Sequence, residues 1–195
     1  MKRQLVHVGI VGPYMSGKTT LCNMLEAINR GYGRLADIDH VDFSSVCATI
    51  GCSSTTFRSM TSNRDFQLID TPGLERFKCI TMPSLRNCEL LVVCQRLKDR
   101  GKVDYFSKNS DALRDFLEYS GGKCEKVLYV YTCSDEVNTP KDYDNELDTS
   151  IFDKSTFEVL LAVLMIEVDK VVFAGNPDPV PVELVKVPEK KKGCC

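Results

Sequence analysis

Apolar residues along this chain fall in short unbroken runs, separated by segments of helical spacing. LVHVGIV (Leu5–Val11), DFQLID (Asp65–Asp70), ELLVVC (Glu89–Cys94), KVLYVYT (Lys126–Thr132) and KVVFAG (Lys170–Gly175) have strand length and strand composition. Continuous rather than alternating apolar runs predict strands covered on both faces. Between them, KTTLCNMLEAI sets Leu21, Met24, Leu25 and Ile28 on one helical stripe. SDALRDFLEYSGG predicts a second helix, capped by Ser110 and stopped by Gly121 and Gly122. STFEVLLAVLM predicts a third, starting at Ser155. Strands alternating with helices predict an α/β fold of three layers: a mostly parallel sheet with helices on both faces. Beyond Gly175, Pro177, Pro179, Pro181 and Pro188 exclude a helix interior. Residues 1–176 are therefore predicted as one domain and 177–195 as an extended tail.

Composition narrows the picture a little. A chain of 195 residues suits one domain with a sizeable core. A net charge of -2 gives no strong nucleic-acid signal. No convincing signal peptide or membrane span is present. The ten cysteines form no C-x-x-C pair of the kind that holds zinc. Cys47, Cys79, Cys88, Cys94 and Cys133 sit in apolar surroundings and read as small buried hydrophobes in a reducing cytosol. His7 and His40 read as structural or solvated. The acidic stretch KDYDNELD (Lys141–Asp148) lacks calcium-loop spacing and reads as a surface insertion.

The chemistry begins with GPYMSGKTTL, where Gly12, four residues, Gly17, Lys18 and Thr19 follow a strand and open a helix. Such a loop turns backbone N–H groups toward phosphates, with Ser16 and Thr20 alongside; Lys18 adds a positive charge and the Thr19 hydroxyl suits Mg²⁺. In LIDTPG, Asp70 ends a strand, where it can orient a water on Mg²⁺, and Gly73 can offer its N–H to the terminal phosphate. In YTCSDE, Thr132 ends another strand and Asp135 follows. A carboxylate there accepts from both guanine N–H donors, which adenine does not offer. In FAGN, Ala174 falls where a backbone contact to the guanine is expected. The predicted ligands are thus GTP or GDP with Mg²⁺. An ATP-dependent enzyme on the same loop is the reading that Asp135 disfavours.

In order and spacing these elements resemble the GTPases of the translation-factor and Ras-like class, over roughly Leu5 to Asn176. VHVGIVGPYMSGKTTL, LIDTPGLERFKCITMPSLRNCELLVV and YTCSDEVNTPKDY are similar to the GTP-binding domain of elongation factor Tu and its eukaryotic counterpart. ATIG (Ala48–Gly51) and GLERF (Gly73–Phe77) resemble the switches of the Rab branch, which implies Thr49 as a Mg²⁺ ligand beside Thr19 and Asp70. Thr55 and Thr56 are the alternatives for that switch threonine. A terminal Cys194–Cys195 after lysines resembles the Rab prenylation tail, which implies attachment to the cytosolic face of a membrane. The alternative is an unmodified lysine-rich end on a cytoplasmic protein. The Rab branch fits less well: the segments Lys18–Thr49 and Asp135–Ala174 are long for it.

The departures bear on activity. Leu74 stands where these families place a residue that orients the attacking water, and Tyr14 and Met15 crowd the loop beside it. Thr132–Cys133 replaces the usual Asn-Lys, although immunity-associated GTPases also use Thr there. No side chain is assigned as a catalytic residue. The resemblance implies a GTP/GDP switch with slow hydrolysis, acting on effectors that sense the nucleotide state. The alternatives are a non-catalytic interaction module and a prenylated Rab-like trafficking protein.

Overall fold

The structure is a computed structural model that describes residues 3–30, 49–59, 63–99, 110–124, 126–133 and 155–171, with the backbone of 146–149. Six strands form one sheet: β1 (Gln4–Val11), β2 (Ser53–Arg58), β3 (Arg64–Asp70), β4 (Leu90–Arg96), β5 (Lys126–Thr132) and β6 (Glu146–Thr149). Their order across the sheet is β2-β3-β1-β4-β5-β6. β2 runs antiparallel to β3; the other pairings are parallel. The helices are α1 (Lys18–Asn29), α2 (Lys78–Leu85), α3 (Asp111–Tyr119) and α4 (Ser155–Lys170).

Alternate residues of the central strands point to opposite faces, and both faces are covered, as the unbroken apolar runs predict. On one face Val6, Val8 and Ile10 of β1, Leu90, Val92 and Cys94 of β4, and Leu128 and Val130 of β5 pack with α1 and α4. On the other, Val11, Leu91 and Val93 pack with Leu85 of α2 and Leu113 and Phe116 of α3. The three-layer prediction holds. The hydroxyl of Ser110 accepts from the N–H of Leu113, and Gly121 and Gly122 adopt φ of 62° and 80°, so α3 starts and stops as expected.

The strand register places the chemistry. Ile10 lies opposite Asp70, Val11 opposite Val93, and Arg96 opposite Thr132. The carboxyl ends of β3, β1, β4 and β5 therefore line one edge, where ligands of open α/β sheets bind.

Two expectations change. The strand beside β5 is β6, so Glu146–Thr149 belongs to the sheet, and the acidic stretch is not a surface insertion along its whole length. The sequence pattern predicts a strand over Lys170–Gly175, but Lys170 is the last residue of α4; 172–175 lie outside the described residues. The α4 run is apolar enough to persist to its end, where Arg64 donates to the carbonyls of Val168 and Asp169.

Candidate functional site

The loop between β1 and α1 is shaped by its glycines. Gly12 has φ of 148°, and a Cβ there would collide with the carbonyl oxygen of Cys94 and lie 2.9 Å from Ser16 Oγ. Gly17, with φ of 80°, turns the chain into α1, whose first residue is Lys18. Lys18 is buried; its Nζ donates to the carbonyls of Gly12 (3.0 Å) and Pro13 (2.6 Å) and to Ser16 Oγ (3.3 Å). The ammonium is thereby held at the centre of the loop. Gly73 approaches from β3: a Cβ there would stand 2.5 Å from Lys18 Nζ and 2.7 Å from the Pro13 carbonyl. Only glycine brings the backbone so close to the loop.

Three residues named for a metal converge. Thr19 Oγ1 donates to Asp70 Oδ2 (2.7 Å) and shares a 2.9 Å hydrogen bond with Thr49 Oγ1. Thr55 is elsewhere, on β2 bonded to Glu26 (3.2 Å), and Thr56 is its neighbour on the same strand. Of the three candidate threonines, Thr49 is the one at the loop. Asp70 is 2% exposed, and its Oδ1 is buried without a hydrogen-bond partner among the described residues. Burial pushes the Asp70 carboxyl above its ordinary value, against the pull of the Thr19 hydrogen bond, the Lys18 charge and the Thr71 N–H. An orphaned carboxylate oxygen beside two hydroxyls is a hard-oxygen set that fits Mg²⁺.

On the β5 side, Thr132 is 5% exposed and its hydroxyl donates to the Ser16 carbonyl (2.8 Å). Cys133 follows at φ of 56°. Asp135 and Ala174 lie outside the described residues, as does the tail with Cys194 and Cys195. Thr20 is half-buried in the first turn of α1.

The phosphate loop's outer surface is apolar. Tyr14 is 50% and Met15 66% exposed, and Met15 takes φ of 61°. Leu74 is half-buried and leads into a 3-10 turn at Glu75–Phe77. Ile50, beside Thr49, is also exposed.

The fold recurs in solved structures. The chain superposes on a bacterial selenocysteine-specific elongation factor with a TM-score of 0.57 and 16% identity, covering 86% of this chain and 29% of that one. It superposes equally, at 0.57 and 16%, on the elongation factor SelB of Methanococcus maripaludis, solved with the GTP analogue GppNHp, covering 89% of this chain and 36% of that one. The fold, a mostly parallel sheet with helices on both faces, is the one these elongation factors share. The chain spans about a third of the length of these proteins. No protein-family model matches the sequence, and no curated protein matches it.

Sequence reading missed two supports of this site. The Thr71 hydroxyl is fully buried and donates to the Ile10 carbonyl (2.7 Å), tying the Asp70 turn to the end of β1. The Thr132–Ser16 bond ties the phosphate loop to β5 across 116 positions of chain. A hydroxyl at the end of an apolar run is the only sequence trace of either. The cysteine reading holds for Cys88 and Cys94, which are buried, with burial pushing their thiols up to about 12; Cys22, on α1, is buried as well. It fails for Cys79, which is exposed on the first turn of the short helix α2. Cys133 is half-buried, and Cys47 lies outside the described residues.

Proposed function

We propose that this chain binds GTP and GDP with Mg²⁺ and works as a nucleotide-state switch that hydrolyses GTP slowly. The observation that carries the reading is the convergence of Thr19, Thr49 and buried Asp70 beside Lys18, with one Asp70 oxygen unpartnered among the described residues. A hydrophobic core gains nothing from these polar groups, and an unmatched buried carboxylate is unfavourable unless something binds it.

Thr19, Thr49 and Asp70 would hold the metal, Asp70 through a water; bound Mg²⁺ neutralises charge that develops on the phosphates. Lys18 places its ammonium where the outer phosphates would lie, and the narrow approach of Gly73 lets its N–H serve the terminal one. Once that phosphate leaves, Gly73 loses the oxygen it would serve and Thr49 keeps only its hydroxyl contact to Thr19, which is how such loops would report nucleotide state. Asp135 gives guanine preference over adenine, and Thr132 keeps the base-side turn on the loop. Ala174 supplies the backbone contact to the base on this reading, and it lies outside the described residues. Leu74 has no group with which to orient a water, so hydrolysis is slow. Effectors that sense the nucleotide state are the corresponding partners, on a cytoplasmic protein. Lipidation of Cys194 and Cys195 would bring it to a membrane.

A second reading, binding without useful hydrolysis, is favoured by Tyr14, half-exposed with its backbone N beside Gly73. Titration with GTP, GDP and ATP in the presence and absence of Mg²⁺, followed by single-turnover hydrolysis, tests both. Mg²⁺-dependent guanine preference with slow release of phosphate is expected. Equal affinity for ATP rejects the switch, and no phosphate release over hours leaves the second reading.

A further inference from the structure

β5 reaches the phosphate loop through one hydroxyl. Thr132, the last residue of β5, donates to the Ser16 carbonyl (2.8 Å) and shares that proton with the Gln95 carbonyl at 3.4 Å. Ser16 and Thr132 are both buried, so water does not replace the bond if it is lost. A peptide unit is planar and trans, and its C=O and N–H point in opposite directions. Holding the Ser16 oxygen toward β5 therefore turns the Gly17 N–H away from β5. Gly17 is the residue before α1, where the first N–H groups of a helix face out of its end. Among the described residues, none accepts from the Gly17 N–H. Glycine at a φ of 80° imposes little preference of its own, so the direction of this peptide rests on its partners.

On the reading of this loop as a phosphate cradle, we infer that Thr132 is a positioning residue for the phosphates: through the Ser16 carbonyl it aims the Gly17 N–H at them, whatever base the nucleotide carries. Thr132 has no proton to offer a phosphate directly, because its single one is committed to carbonyls, and a phosphate offers acceptors. Without the hydroxyl, the Ser16 carbonyl is left buried without its donor and the peptide tilts to find another. The Gly17 N–H must then be brought back into line as the ligand binds, which weakens binding. Lys18 keeps its bonds to the Gly12 and Pro13 carbonyls, so the rest of the cradle stays. Thr132 also stands three residues before Asp135, the expected base reader. One side chain of the base-reading segment thus acts on the other end of the nucleotide.

The test uses a ligand with no base. Inorganic tripolyphosphate and GTP compete, separately, against a fluorescent GTP analogue on the full chain. Thr132→Val should weaken both by the same factor, about tenfold. Thr132→Ser keeps the hydroxyl and should restore both. Should the valine variant not fold, Thr132→Cys, a weak donor of similar size, should lower both affinities by an equal, smaller factor. In amide spectra the Gly17 resonance should move when tripolyphosphate saturates the unsubstituted chain or the serine variant, and move less in the valine or cysteine variant. Weaker GTP binding with unchanged tripolyphosphate binding would confine Thr132 to the base side and overturn the inference. So would a Gly17 resonance that ignores tripolyphosphate in the unsubstituted chain. Lys18→Ala separates this failure from a deeper one: it should weaken both ligands whatever Thr132 does, and unchanged affinity there rejects the phosphate cradle itself.

Discussion

On the inner side of the phosphate loop, polar atoms answer one another: Lys18 meets two carbonyls, and Thr19 meets both Asp70 and Thr49. On the outer side, where contact with water favours polar groups, Tyr14, Met15 and Ile50 face outward and Leu74 stands beside them. On the switch reading, the inner side is the part that binding needs, and the outer side, with no hydrogen-bonding group at Leu74, is the part that positioning a water needs. One loop would then keep what holds phosphates while losing what helps cleave them, since catalysis of phosphoryl transfer is mostly placement.

The contrast breaks most severely through the loop's backbone. Gly12→Ala adds a Cβ against the Cys94 carbonyl at a φ of 148°. A loss of about 3 kcal/mol of stability is expected, checked by urea denaturation. Lys18→Ala should lower affinity for every nucleotide by roughly 10- to 150-fold, the worth of hydrogen bonds to a charged group. Calorimetric titration measures it, and unchanged affinity would place the ligand elsewhere. Thr132→Val removes the hydroxyl that holds the Ser16 carbonyl and leaves that acceptor buried. Guanine-nucleotide affinity should fall by about tenfold with the fold intact.

The outer side should respond in the opposite sense. Leu74→Gln combined with Tyr14→Gly should raise the hydrolysis rate by about tenfold, or about 1.4 kcal/mol of barrier, without changing affinity. A quench-flow comparison with the unsubstituted chain decides it. The smallest effect concerns pH. The Asp70 carboxyl is raised in the folded state, chiefly by burial. Ionising it therefore disfavours the metal-free fold, and stability falls as pH rises through and above the ordinary carboxylate range. Asp70→Asn should remove that slope, read from urea midpoints in chelator, while abolishing any effect of Mg²⁺ on nucleotide affinity.

How legible all this was in the sequence depends on burial. β1, β4 and β5 announce themselves because both faces are covered and most of their residues are apolar, whereas in β3 burial alternates through Phe66, Leu68 and Asp70. β2 (SSTTFR) is an edge strand in which only Phe57 is fully buried, stacked on Phe66 with centroids 4.8 Å apart, so it shows no apolar run. β6 (ELDT) is four residues long with a polar sequence, and it reads as loop. Pro83 inside α2 hides that helix in the same way. Spacing was enough to name Lys18, Thr19 and Asp70. ATIG pointed to Thr49 through its resemblance to a switch; what sets Thr55 and Thr56 apart is where β2 begins, which that pattern does not record.

That beginning has a mechanical consequence. The ladder between β2 and β3 starts at Ser53, opposite Asp70, and its far end is pinned where Arg3 bonds the Ser59 and Arg64 carbonyls and Asp65. Thr49 is four residues from the first rung. On the switch reading, when it lets go of Thr19, the recoil has a fixed pivot, and its stroke is bounded by the reach of four residues, about 13 Å. A spin label placed at Ile50 should therefore travel between nucleotide states, while one at Thr56 stays still.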